Sequence, residues 1–341
     1  MVGVVAIHLV ARIAQDSALH PVGRWLDHAS RFGVPLFLAA AGSMLAAQAQ
    51  EVQDWQQWLL RRLRAVVPAY LVWALIYGAV APLDGQGMAL WGGELAWPAR
   101  LLSVVFGYGA EQLYFMTAYL GLLLVAPLVG LVLQRLTTSA ISALVMLAVA
   151  LAALAANTWL LAQCSELVQV RAPLHGIAGW LLQTEARTPL HWFGFYLCGV
   201  ALGQLQVSGL RMPPALYWLA VPAALLHGWI ALRSPLATQF DDFWCSPALV
   251  ASSITFALWG PPLAKRLDNL RLGGWLAVIG RESLGIYLAH VLFLRLSWAA
   301  TAALPLPVAL GLTVLGTLAG TAAYLPLHRR LFTPPAVAAT A

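Results

Sequence analysis

Four short stretches carry side chains able to do chemistry in a chain that is otherwise largely apolar. His8 lies in Val-Val-Ala-Ile-His-Leu-Val (residues 4–10), and Arg12 follows one helical turn later on the same face. Imidazole is the side chain whose unperturbed pKa lies near neutrality, so His8 is suited to take the proton from a hydroxyl nucleophile. A core histidine satisfied by one backbone or hydroxyl partner is the plain alternative. Arg61, Arg62 and Arg64 precede Pro68 and Tyr70. Guanidinium forks match phosphate oxygens bidentately, so this run reads as a cradle for a phosphate-rich cofactor or as a positively charged membrane anchor. In Arg281 to His290, Ser283 and Tyr287 stand four apart and Tyr287 and His290 three apart, which puts them on one helix face. Inside a bilayer a hydroxyl, a phenol and an imidazole each need a hydrogen-bond partner, so they turn toward protein and not lipid. They serve there as catalytic groups or as glue between helices. Glu111 and Gln112 open a further apolar run, with Glu111 at a boundary that water can reach.

The elements that must position these groups are membrane helices. The 341 residues are 61% hydrophobic and only 9% charged, with a mean hydropathy of +0.79. Soluble domains carry about 25% charged residues, and a chain with so few would expose one continuous apolar surface to water. The composition excludes a soluble enzyme, a disordered tail protein and a disulfide scaffold. Cys164, Cys198 and Cys245 show no metal or redox spacing, and no metal site is expected. Net charge is +6, and every basic residue except Lys265 is arginine. These arginines punctuate apolar runs, so they read as membrane anchors and not as a nucleic-acid surface.

A spanning helix needs about 20 predominantly apolar residues. Runs of that kind fall at 2–14, 32–49, 65–83, 113–134, 139–162, 189–207, 214–232, 246–264, 279–299 and 306–327. The expected fold is therefore all-α, a polytopic membrane bundle of about ten transmembrane helices. Residues 1–333 form a single domain, and 334–341 a short C-terminal tail. The Arg61–Arg64, Lys265-Arg266 and Arg329-Arg330 clusters fall on one side, which places both termini in the cytoplasm; Arg24, Arg31 and Arg295 are assigned to the other side. The run 2–14 covers only about 20 Å of a hydrocarbon core about 30 Å thick. It is expected to be re-entrant or to continue upstream of Met1.

Taken in order, these stretches resemble the acyltransferase-3 family of integral membrane O-acyltransferases, in its short form that modifies surface polysaccharides. The likeness is carried by His8, by the VPLF run at residues 34–37 with Ala41-Gly42, by Arg61 to Leu71 and by Gln112 to Leu120. His191 to Gly203 and Ile279 to His290 complete it, so it runs along nearly the whole chain. By position, His8 matches the family's first-span histidine, Arg61 and Arg64 its Arg-x-x-Arg pair, and Tyr287 and His290 its late Tyr-Leu-x-His motif. The family's Arg ten or eleven residues before the first-span His would fall ahead of Met1. Its Ser-Gly appears here as Ala41-Gly42, and Gln112 stands where His is common.

The resemblance implies transfer of an acyl group, expected to be acetyl, from cytoplasmic acyl-CoA to a hydroxyl of an envelope or exopolysaccharide glycan. That acceptor is expected to be a polysaccharide or a lipid-linked oligosaccharide, in a bacterial inner membrane. Acetyl-CoA is the donor substrate, no cofactor is held permanently, and the remaining partners are the lipid bilayer and polysaccharide assembly proteins, with no nucleic acid. His8, Tyr287, Ser283 and His290 form the expected catalytic set. Arg61, Arg64 and Arg12 form the expected donor-binding set. The rival classes are a polytopic transporter or flippase and a non-catalytic member of a polysaccharide assembly complex. No pair of interrupted helices in inverted repeat supports the transporter.

Overall fold

The computed structural model describes residues 2–11, 13, 19–84, 96–136, 139–169, 187–209 and 271–332, together with Pro222, Leu225 and Ser253. Among these, the regular structure is entirely helical. Apart from Pro222, Leu225 and Ser253, the expected spans 214–232 and 246–264 lie outside the described residues, as do the tail 334–341 and Arg12. Six helical stretches are long and apolar enough to cross a bilayer: His20–Gln48, Trp55–Ala81, Leu113–Arg135, Ala140–Asn157, Ser283–Thr301 and Leu306–Phe332.

Helices α1 (Val2–Val10), α2 (His20–Ser30) and α3 (Gly33–Gln48) open the chain. They correct the expected run 2–14, since α1 has 9 residues, or about 14 Å at 1.5 Å per residue, less than half the hydrocarbon thickness. They also place a helix where a connection was expected. The apolar residues of α2 are too widely spaced to form a run, yet Val22 and Leu26 lie exposed while His28 and Arg31 are buried. The polar face of α2 therefore turns inward, and Arg31 pairs with Asp27 at 2.8 Å. A periodicity read for an apolar interior misses a helix built in this inverted sense.

Helix α4 (Trp55–Asp84) begins well before the expected 65–83. Its 30 residues reach about 45 Å, so it outruns the hydrocarbon core by several turns. Arg61, Arg62 and Arg64 lie within its first turns, and Arg62 stacks over Trp58 with 5.1 Å to the ring centroid. Helix α5 (Trp97–Ser103) runs into a π-turn, Val104–Tyr108, followed by α6 (Leu113–Arg135), α7 (Ala140–Gln169) and α8 (Pro189–Val207). The last has the bounds expected from sequence. Pro189 starts it after an extended Thr188, as a residue with fixed φ and no N–H does best at a first turn. Helices α9 (Arg271–Arg281), α10 (Ser283–Thr301) and α11 (Leu306–Phe332) complete the described chain; α9 occupies what read as a break.

The chain divides into two compact units, one of residues 56–117 and 271–341, the other of 2–55 and 118–270. In the second, α3 and α8 meet backbone to backbone. A Cβ on Gly42 would stand 2.1 Å from the Tyr196 carbonyl oxygen, and one on Gly199 would stand 1.9 Å from that of Ala39. Lipid gives no hydrophobic drive for two apolar helices to associate, so close approach through small residues supplies the contact. In the first unit α10 and α11 run antiparallel, with Gly285 against His328, Phe293 against Gly320 and Ser297 against Gly316. The Thr301 and Thr313 hydroxyls, 3.0 Å apart, close one end of that pair, and the Arg329–Glu282 ion pair at 2.7 Å closes the other.

Candidate active site

In the unit of 56–117 and 271–341 a polar cluster is assembled around α10, and most of its members are buried. The corner between α5 and α6 comes first, because it delivers Gln112. Gly107 has φ +83, and a Cβ there would lie 2.9 Å from both the Leu113 carbonyl oxygen and the Thr117 hydroxyl. Only glycine takes that backbone without strain in so tight a corner. The Tyr70 hydroxyl donates to the Val105 carbonyl at 2.6 Å and lies 3.2 Å from the Thr117 hydroxyl. Those bonds pin the corner against α4.

Gln112, 1% exposed, accepts a hydrogen bond on its main-chain carbonyl from the Tyr287 hydroxyl. The Tyr287 ring, itself 4% exposed, packs edge-on against Phe115 at 5.2 Å. His290 is fully buried. Its Nδ1 lies 2.7 Å from the Tyr287 carbonyl oxygen and 3.1 Å from that of Ile286. Both neighbours are acceptors, so in the neutral ring Nδ1 carries the proton and Nε2 the lone pair. His290 thus presents an acceptor, not a donor, at its far nitrogen. Ser283 is the first residue of α10, half-buried one turn before Tyr287.

Sequence reasoning missed two further members. Tyr77, fully buried, donates from its hydroxyl to the Leu288 carbonyl at 2.8 Å and accepts from the Leu292 N–H at 2.9 Å. Arg295 stands over the Tyr77 ring with 5.9 Å to its centroid and is 7% exposed. Counted among the charges of the outer side, it lies buried inside the span Ser283–Thr301. A charge at that depth is costly and marks a functional position by default, which was the signal available in the sequence. On the flank of this cluster, the Trp73 indole donates to the Tyr324 hydroxyl at 2.8 Å, and that hydroxyl lies 3.1 Å from His328 Nδ1.

Of the expected site residues, Arg61, Arg64, Ser283, Tyr287 and His290 belong to this unit, with Arg61 and Arg64 exposed on α4. Glu111 is exposed, as its boundary position suggested. His8 belongs to the other unit, half-buried on α1. In that unit α1 packs along α2: a Cβ on Gly3 would meet the Ser30 carbonyl oxygen at 3.1 Å, and one on Gly23 the Ile13 side chain at 2.9 Å. His191, placed by sequence at an interface, is buried, and its Nδ1 lies 3.3 Å from the Asn157 amide nitrogen.

The profile of the acyltransferase-3 family, described as an acyltransferase domain, matches residues 1–325. No curated protein and no solved structure matches the chain. The profile covers nearly the whole length of the chain, whose described residues are helical in their regular structure and include six apolar stretches long enough to span a bilayer; this protein belongs to the acyltransferase-3 family and is a membrane acyltransferase.

Proposed function

We propose that the protein moves an acetyl group from acetyl-CoA to a hydroxyl of an envelope glycan or lipid-linked oligosaccharide at a bacterial inner membrane. Family membership supports acyl transfer. The observation that carries the choice of a hydroxyl acceptor is the buried imidazole of His290, whose main-chain contacts leave an acceptor nitrogen beside Tyr287. Arg61 and Arg64, exposed near the start of α4, hold the phosphates of the donor through charge-assisted bonds, with Arg12 as a further cation. His8 takes the proton of the acceptor hydroxyl, and the oxygen attacks the thioester carbonyl carbon. The resulting oxyanion collapses, the carbon–sulfur bond breaks, and the departing thiolate takes the proton back from His8. His290, beside Tyr287 on α10, orients the acceptor by taking a hydrogen bond from a second hydroxyl of the glycan. Ser283 and Tyr287 supply hydroxyl donors from the first turns of α10.

The test is acetyl transfer by purified protein in proteoliposomes, from labelled acetyl-CoA to a panel of glycans and lipid-linked oligosaccharides. Transfer by wild type, and its fall by about 10²–10⁴-fold in folded His8→Ala, is the expected result. Near wild-type transfer in that variant ends the assignment of His8 as base. Labelled protein formed without acceptor would replace direct attack by an acyl-enzyme relay. Acceptor crossing the vesicle without acetylation would favour the flippase.

A further inference from the structure

Tyr77 lies outside every motif that carries the family likeness, yet its hydroxyl reaches the main chain of α10. Its hydroxyl bridges the Leu288 carbonyl and the Leu292 N–H. These are the two groups that an undisturbed α-helix pairs with each other, since residue i bonds back to residue i−4. A side chain standing at such a pair is one of the few identifiable causes of a local change in helix direction. His290 sits in the middle of the bridged turn, and Arg295 stacks on the same phenol ring from the next turn.

We propose that Tyr77 is a positioning residue, whose hydroxyl bridges the Leu288 carbonyl and Leu292 N–H and so sets the turn of α10 that carries His290. Inside a bilayer no water replaces a lost partner, so an oxygen that serves both groups ties this turn of α10 firmly to α4. Without that oxygen the tie is lost, and His290 Nδ1 moves relative to the Ile286 and Tyr287 carbonyls that orient its ring. Burial of Tyr77 keeps water from taking the oxygen's place. The hydroxyl bonds main chain while the ring carries Arg295; removing the hydroxyl alone keeps the ring contact, so its effect on chemistry passes through His290.

The experiment uses the full chain, labelled with ¹⁵N-histidine in lipid bilayers, and Tyr77→Phe, which removes one oxygen and keeps the ring. His290 is identified as the resonance lost in His290→Gln. In wild type its neutral ring carries the proton on Nδ1. In Tyr77→Phe its resonance moves, kcat for acetyl transfer falls about ten- to a hundredfold, and the donor KM stays unchanged, as expected when a reacting geometry shifts by a fraction of an ångström. Tyr77→Leu, which also lacks the hydroxyl, is the second variant, and Tyr324→Phe, which removes the hydroxyl of a half-buried phenol in the same unit, leaves the His290 resonance in place. A wild-type proton on Nε2, a resonance or kcat unchanged without the Tyr77 hydroxyl, or an equal displacement in Tyr324→Phe overturns the proposal. The kinetic arm rests on the acyl-transfer function proposed above, whereas the resonance is read without substrate. A wild type that transfers nothing therefore ends that function and leaves the positioning of His290 to be decided by the resonance.

Discussion

The Tyr287 hydroxyl donates its proton to the main-chain carbonyl of Gln112, so the residue that opens α6 is tied to the late motif of α10. A phenol that spends its proton on a fixed carbonyl is a structural donor first. To stabilise an oxyanion, Tyr287 must exchange that partner for the substrate. Tyr287→Phe separates the two roles, because the ring and its contact with Phe115 remain. The Gln112 carbonyl then keeps only the long bond from the Phe115 N–H at 3.4 Å, so losing the phenol costs about 0.5–1.5 kcal/mol of stability. Loss of an oxyanion donor costs about 10²–10³ in kcat. The expected outcome is both: a lower unfolding midpoint in detergent and a kcat reduced by at least the smaller factor. A stability loss with unchanged kcat reduces Tyr287 to a tie between α6 and α10.

The three arginines of α4 divide by contact. Arg61 and Arg64 are exposed, whereas Arg62 is partly covered and lies over Trp58. Neutralising Arg61 and Arg64 together, as Gln, removes two charge-assisted bonds to donor phosphate, each worth roughly 1.5–3 kcal/mol. The acetyl-CoA KM is expected to rise by tenfold or more, with the unfolding midpoint unchanged. Arg62→Gln is expected to behave in the opposite way, losing about 0.5–1 kcal/mol of stability with little change in KM. An unchanged KM in correctly inserted Arg61→Gln/Arg64→Gln protein would reduce that pair to membrane anchors.

What could be read from the sequence was whatever rests on local pattern. The run 189–207 has its observed bounds because one proline starts it and apolar residues fill it. That Ser283, Tyr287 and His290 share one helix was legible because helical spacing aligns polar groups that lipid will not accept. What was not legible depends on distant partners. Tyr77 looks like any aromatic residue of a span until its hydroxyl is seen on α10, 211 and 215 residues away from its two partners. Helix α2 escaped because its polar face is the buried one. Arg295 was visible as a charge, but the positive-inside rule treats an arginine as a loop marker and carries no information about a phenol ring beneath it.

The glycines of α3 and α8 predict an all-or-none packing effect. A methyl group added at Gly42 or Gly199 would overlap main-chain oxygen of the facing helix, at 2.1 and 1.9 Å, and backbone cannot rotate aside as a side chain can. Gly42→Ala and Gly199→Ala are expected to part α3 from α8, at a cost of several kcal/mol, and to show as loss of folded protein on size-exclusion chromatography. Gly311 in α11 has nothing within 4 Å of its added Cβ. Gly311→Ala is expected to be neutral or to add up to about 1 kcal/mol, since alanine restricts the unfolded chain and favours helix. Comparable loss at Gly311 would mean that the damage at the other two comes from helix propensity and not from the crossing.

Arg295 offers the sharpest separation of stability from activity. A guanidinium within a span costs roughly 2.5–3.5 kcal/mol on insertion scales, so one found there marks a functional position by default. Replacing it with Met keeps an unbranched apolar chain of similar reach against Tyr77, removes the charge and gives up a cation–π contact worth about 1–2 kcal/mol when desolvated. The two effects oppose each other, and the insertion term is the larger. Arg295→Met is therefore expected to be no less stable than wild type by thermal unfolding in detergent. If the charge acts beside His290 on the donor or acceptor, kcat/KM falls tenfold or more in the same sample. Arg295→Lys is expected to lose most of that activity too, because an ammonium group neither stacks flat on a phenol nor forks its hydrogen bonds. A stable, fully active Arg295→Met protein would remove this residue from the site and leave its burial without a catalytic reason.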